Sequence, residues 1–195
     1  MNKRIEQKEN RQNQILETAL DLFVKKGFAA TKIMDIAEAA GMSKGLMFNY
    51  FSSKEKLYET LVRSGIQRSK ALFDSIDDEP LAFFTRVAEM VITSAKQNSY
   101  IAKMFVLIND ALRGNILIDE LKHSQRENIR RSAALILKGQ RCGTIREGDP
   151  EALASTFWGA VLGVCQLAVQ DPYFTYPEPE WIVSIIKNPQ QTNPV

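Results

Sequence analysis

The stretch TKIMDIAEAAGMSKGLMFNYFSSK, residues 31–54, reads as two short helices joined by a tight turn. Thr31 stands at a helix start, where a hydroxyl can accept a hydrogen bond from a free backbone N–H. Ile33, Ile36 and Ala37 then fall on one helical face. Gly41 follows Ala40, at a helix end that asks for a residue tolerant of positive φ. Ser43 is placed to cap a second helix at once. In that helix Met47 and Phe51 share the inner face at i, i+4 spacing, leaving Lys44, Leu46, Phe48 and Asn49 on the outer one. Ser52, with Glu55 three residues on, has the spacing of a capping box for a third helix.

Two short helices about a Gly-containing turn form a helix-turn-helix, whose second helix enters the DNA major groove. The residues go further than the generic pattern. The run AGMSKGLMFNYFSSKEKL, residues 40–57, resembles the DNA-binding signature of the TetR family of bacterial transcriptional regulators. It matches at Gly41, Ser43, Lys44, Gly45, Tyr50, Phe51, Ser53, Lys54, Glu55 and Leu57, and departs mildly at Met47 and Phe48, where Leu and Tyr are usual. The resemblance implies an all-α chain: an N-terminal three-helix DNA-binding domain, 1–56, and a C-terminal helical domain for ligand binding and dimerisation, 57–195.

Composition agrees with such a chain. Its 195 residues are 45% apolar, enough for a sizeable core. Seven Pro, ten Gly and long periodic runs point to helices throughout. The charged start does not resemble a signal peptide, and two unpatterned cysteines, Cys142 and Cys165, fit a reducing cytosol. Together with the resemblance this places the protein in the bacterial cytoplasm, at the nucleoid. Residues 1–56 hold ten Lys/Arg against seven Asp/Glu, so the positive end is the end with the helix-turn-helix.

Along the chain, residues 1–10 read as a polar frayed end. A helix over 11–26 is written by Ile15, Ala19, Leu22 and Phe23, and Gly27 stops it. With Phe28, Ile33, Ile36, Met42, Met47 and Phe51 it can close a small core. Further helices are expected over 53–76, 80–96, 98–112 and 116–138, the last with an apolar end at Ala133, Ile136 and Leu137. Asp77-Asp78-Glu79-Pro80 breaks the first of these, with Pro80 at the first turn of the next. Residues 139–153 read as a loop, which also resembles the family's Gly-rich connection into its dimer helices. The run 152–169 contains no charge; its length approaches a membrane span, but burial against a second subunit is the preferred reading, with no membrane partner. Phe157, Gly159, Ala160, Gly163 and Val164 are its expected interface residues, joined by Trp181 and Ile185 from a short helix over 178–187 to make a four-helix bundle across a two-fold axis. Residues 188–195 read as a tail.

The expected DNA contacts follow from chemistry. Lys44 can donate to guanine O6 and N7 or, alternatively, hold a phosphate; Leu46 can meet a thymine methyl; Asn49 can pair with adenine or reach a phosphate. Gly45 lets the backbone approach the groove. By resemblance, Thr31, Ser43, Tyr50 and Lys54 fall at positions that grip phosphates, with Lys32 beside them, whereas Phe48 lacks the usual hydroxyl there. The expected partner is a near-palindromic double-stranded operator, bound by a homodimer.

The resemblance also implies a small hydrophobic or amphipathic effector in the second domain, and with it a repressor released from its operator. Met90, Met104, Phe105, Ile108 and Trp158 are the candidate lining, with simple core packing as the alternative for each. His123, the single His, reads as a surface residue. No cofactor, metal or catalytic residue is expected, since no nucleophile signature, phosphate loop or metal-spaced cluster is present. Two rivals stay open: an activator or protein-regulated DNA binder, and, from another class, a helical small-molecule carrier or enzyme.

Overall fold

The structure is a computed structural model and describes residues 3–74, 79–97 and 99–191. Residues 3–10 carry no apolar stripe, yet six of the eight are Lys, Glu, Gln or Arg, which favour helix on their own. They form the first turns of α1 (Lys3–Lys26), so the polar start is helix and not a frayed end. Further along, Ile15, Ala19, Leu20 and Phe23 are buried in one stripe, and Gly27 ends the helix at φ +80°. Three helices follow: α2 (Ile33–Ala39), α3 (Lys44–Tyr50) and α4 (Lys54–Asp74). Ile36, Ala37, Met42, Met47, Phe51 and Leu57 close the core against α1, as the apolar spacing required.

The rest of the chain is also helical: α5 (Pro80–Lys96), α6 (Tyr100–Ala111), α7 (Ile118–Arg141), α8 (Pro150–Gln170) and α9 (Pro179–Ser184). No strand occurs among the described residues, apart from one isolated bridge between Ile145 and Lys187. Pro80 opens α5 at its first turn, while Asp77 and Asp78 of the expected break, and residues 192–195 of the tail, lie outside the described residues. A second apolar core gathers Phe83, Phe84, Val91, Phe157, Val161 and Ile182. The two cores do not part at residue 56. The first half of α4 (Leu57, Tyr58, Leu61, Val62) and part of α6 (Met104, Leu107, Ala111) belong to the same cluster as the N-terminal helices.

The flank of α4 against α7 is different in kind. Arg63 meets Glu120 at 2.6 Å, Asn128 donates to Ser69 at 2.7 Å, and Arg131 meets Asp74 at 2.9 Å. This is a polar ladder along two helices, with exposed His123 beside it. Against α6, α4 instead comes close through Gly65. A Cβ placed there would lie 2.7 Å from Met104 Cε and 2.9 Å from Ile108 Cδ1.

The end of α7 runs past the expected turn to Arg141, because Gly139 is buried inside it under Ile145. Leu137, expected in the core, is instead 42% exposed. α8 is long and apolar enough to cross a membrane, at hydropathy 1.7, yet it packs on α5, α6, α7 and α9. A Cβ on Gly139 would meet Ile145 Cδ1 at 2.6 Å and its Cγ1 at 2.7 Å. Gly139→Ala should therefore lose more to this clash than it gains in helix propensity, a net loss on the order of 1–2 kcal/mol. A lowered urea midpoint would show it; a stabilised variant would contradict the packing described.

Candidate nucleic-acid interface

Two caps hold α3 at an angle to α2. Gly41, at φ +63°, closes the end of α2, and the Ser43 hydroxyl accepts from the Leu46 N–H at 3.3 Å to open α3. α3 has seven residues, too few to be stable alone. Met47, with no exposed surface, and Phe51 at its end are what tie it to the core. The outer side is open to water: Ser43, Lys44, Gly45, Leu46, Phe48 and Asn49 are all exposed. Leu46 and Phe48 keep over a third of their surface in water. The sequence-expected set on α3 is thus brought together on one face, with Tyr50 half-buried at its edge.

Thr31 is corrected. It is fully buried, and its hydroxyl donates back to the Gly27 carbonyl at 2.8 Å, with the Leu22 carbonyl at 3.3 Å. It is neither a cap nor available to a phosphate. The cap position of α2 is Lys32, whose backbone N–H donates to the Asp35 carboxylate at 3.2 Å while its side chain stays exposed. The capping serine of α4 is likewise Ser53 and not Ser52: its hydroxyl accepts from the Lys56 N–H at 3.1 Å. Glu55 nearby is held below the usual carboxylate range, first by its own backbone N–H and then by the Ser53 hydroxyl.

Lys54 has a role that its position in the motif did not disclose. Its ammonium donates to the Phe28 carbonyl at 2.7 Å and sits 4.2 Å from the centroid of the Phe28 ring. It ties the start of α4 to the turn between α1 and α2. A charge-assisted bond and a cation–π contact act on one loop.

The expected effector lining is divided between the two apolar clusters. Met104 and Ile108 fill the space over Gly65, in the cluster of the N-terminal helices. Met90, Phe105 and Trp158 pack against the other cluster, with Phe105 and Trp158 stacked at 6.3 Å and Trp158 Nε1 donating to the buried Ser132 hydroxyl at 2.8 Å. The expected dimer residues divide too. Phe157 is fully buried within the protomer, its ring 4.9 Å from that of Phe84, and Val164 is buried beside it, so both are core. Gly159 is exposed, while Ala160, Gly163 and Ile185 are half-buried. The outer stripe of α8 runs through Ala152, Thr156, Gly159 and Gly163 to Leu167, near-uncharged, and Trp181 on α9 keeps 66% of its surface in water. Cys142 is exposed and Cys165 buried, its thiol pushed up to about 12 by burial.

Lys54→Met keeps the stem and removes the charge. It should cost about 1–2 kcal/mol of stability through the lost carbonyl bond and ring contact. A urea titration that matched the parent would show that the tether carries no weight.

The chain is similar to known regulators over most of its length. The model of bacterial regulatory proteins of the tetR family matches residues 15–61, which contain α2 and α3 whole. The HTH-type transcriptional regulator RutR of Escherichia coli K12 is 29% identical over 159 residues, 80% of this chain and 74% of RutR. Among solved structures, the MbdR regulator from Azoarcus sp. CIB superposes with a TM-score of 0.73 at 22% identity, covering 90% of this chain and 96% of MbdR. AibR, solved with isovaleryl coenzyme A and operator DNA, superposes at 0.69 and 19% identity, covering 89% of this chain and 94% of AibR. With the helix-turn-helix signature on an exposed α3, residues 15–61 carry the DNA-binding region of bacterial regulatory proteins of the tetR family, and the whole chain shares the all-helical architecture of the MbdR and AibR regulators.

Proposed function

We propose that the protein is a sequence-specific, homodimeric repressor of the bacterial cytoplasm, released from a near-palindromic operator by a small hydrophobic or amphipathic effector. The observation that carries the reading is the outer face of α3: six consecutive or near-consecutive exposed residues, Ser43 to Asn49, on a helix anchored by Met47 and Phe51 with the half-buried Tyr50. Within it, Lys44 reads base edges, Gly45 lets the backbone approach, and Leu46, Phe48 and Asn49 lie along the groove. Ser43, Lys32 and the edge of Tyr50 hold the phosphates that fix register. Lys54 acts by holding the Phe28 turn, and any phosphate contact it makes is shared with that carbonyl.

We divide the labour as 1–56 for DNA and 57–195 for effector and partner, with α4 common to both. Met90, Phe105 and Trp158 form the wall of the effector site, and Met104 and Ile108 bear on Gly65 of α4, so that a shift of α6 reaches the reading head. Two subunits pair through the outer stripe of α8 at Gly159, Ala160 and Gly163, with Trp181 and Ile185 of α9. A helix with this much apolar surface outward gains most from a second copy of itself. Pairing brings two α3 helices to half-sites about one helical turn, ~34 Å, apart or wider.

Two variants test this on DNA selected from a random pool. Lys44→Ala should weaken the selected site by roughly 1–3 kcal/mol and relax one base position. Binding equal to the parent would remove Lys44 from base reading. Gly163→Leu places its bulk where a Cβ meets nothing within 4 Å in the protomer. It should fold normally yet run as a monomer in light scattering and lose the operator; a dimer would show that pairing uses another surface.

A further inference from the structure

The end of α1, the turn after it, α4 and the end of α6 enclose a half-open cleft of about 590 Å³. None of Met90, Phe105 or Trp158 lines it. Its inner wall is aromatic: Phe23, Phe28 and Tyr58 form a triangle of rings with centroids 4.6, 5.1 and 5.7 Å apart, and Phe28 stays half-buried at the opening. Its charged lining is Lys26 and Arg113 against Asp110: Lys26 has Asp35, outside the lining, at 3.9 Å, Arg113 has Asp110 at 3.6 Å, and Lys54 Nζ lies 4.2 Å from the centroid of the Phe28 ring. Burial, and then Asp110, push the Tyr58 phenol up to about 12, which keeps it neutral. The volume lies within the ~300–1,000 Å³ of small-molecule pockets.

We propose that this cleft binds a small molecule with a flat apolar body and a hydrogen-bonding edge, and that occupying it alters operator affinity. The aromatic wall would stack the body, and the polar groups at the mouth would meet its edge. The coupling follows from who supplies the walls. Phe28, Ala29 and Ala30 belong to the turn that leads into α2 and is held by Lys54, whereas Asp110 and Asn115 belong to the effector side. An occupant touches both at once, so it favours one relative placement of head and body over others. This second part rests on the DNA-binding reading above; the binding itself does not.

The probe is N-phenyl-1-naphthylamine, an uncharged dye that brightens in apolar sites. Asn115 is exposed on the rim of the cleft, and Asn115→Trp should fill the mouth without disturbing the core. The expected result is saturable binding of the uncharged dye to the parent, weakened about tenfold or more in Asn115→Trp. Unfolding midpoints of parent and variant should agree. Dye binding that ignores Asn115→Trp, or no saturable binding to the parent, would each overturn the assignment. Selected operator DNA should change the affinity for the uncharged dye by at least about fivefold. Equal dye affinity with and without bound operator would overturn the coupling. A parent that binds no DNA at all would instead sink the regulatory reading, while the dye titration would still decide whether the cleft binds.

Discussion

The burial of Met47 is the contact on which the reading head depends. α3 is seven residues long and gains nothing from its own length, so one apolar side chain with Phe51 behind it sets both its existence and its rotation. Burying a Met side chain is worth about 1.5–3 kcal/mol, comparable with the cost of ordering a residue or two of backbone. With Met47 buried, Lys44, Leu46, Phe48 and Asn49 are all exposed. The same pin that makes the helix also presents its recognition surface.

What connects this head to the body is α4, and its two flanks behave differently. Toward the head and α6 it is apolar and close-fitting, with Leu57, Leu61 and Val62 buried and Gly65 in contact with Met104 and Ile108. Toward α7 it is held by half-exposed ion pairs and one amide–hydroxyl bond. Exposed pairs exchange with water at little cost, on the order of 0–1 kcal/mol each. The cleft between α1, the Phe28 turn and α6 sits at the same junction of head and body.

The fold and the reading helix are legible in the sequence because several local signals agree. Gly41, Ser43 and the Met47–Phe51 spacing all mark one helix in one rotation. Thr31 misleads because a Thr before a helix serves equally as a cap or as a buried hydroxyl. Only the turn at Gly27, which brings two carbonyls within reach, decides between them. Ser52 and Ser53 are chemically identical neighbours, so spacing alone puts the cap one residue too early. α8 is apolar nearly all round, and such a helix carries no pattern that separates core from interface; Phe157 and Val164 go inward while Gly159 stays out. The effector lining divides for a related reason. Met104 and Phe105 are adjacent and so face different clusters, a division that depends on how α6 is wedged between α4 and α8.

Chemical footprinting with dimethyl sulfate tests most directly whether α3 reads DNA from the major groove, since the reagent modifies guanine N7 in the major groove and adenine N3 in the minor groove. On a selected operator bound by the purified chain, two clusters of protected guanine N7 are predicted on one side of the duplex, related by the symmetry of the site and about one turn (~34 Å) apart or wider. Guanine N7 left reactive throughout the bound site, with protection confined to adenine N3, would mean that the outer face of α3 does not enter the major groove.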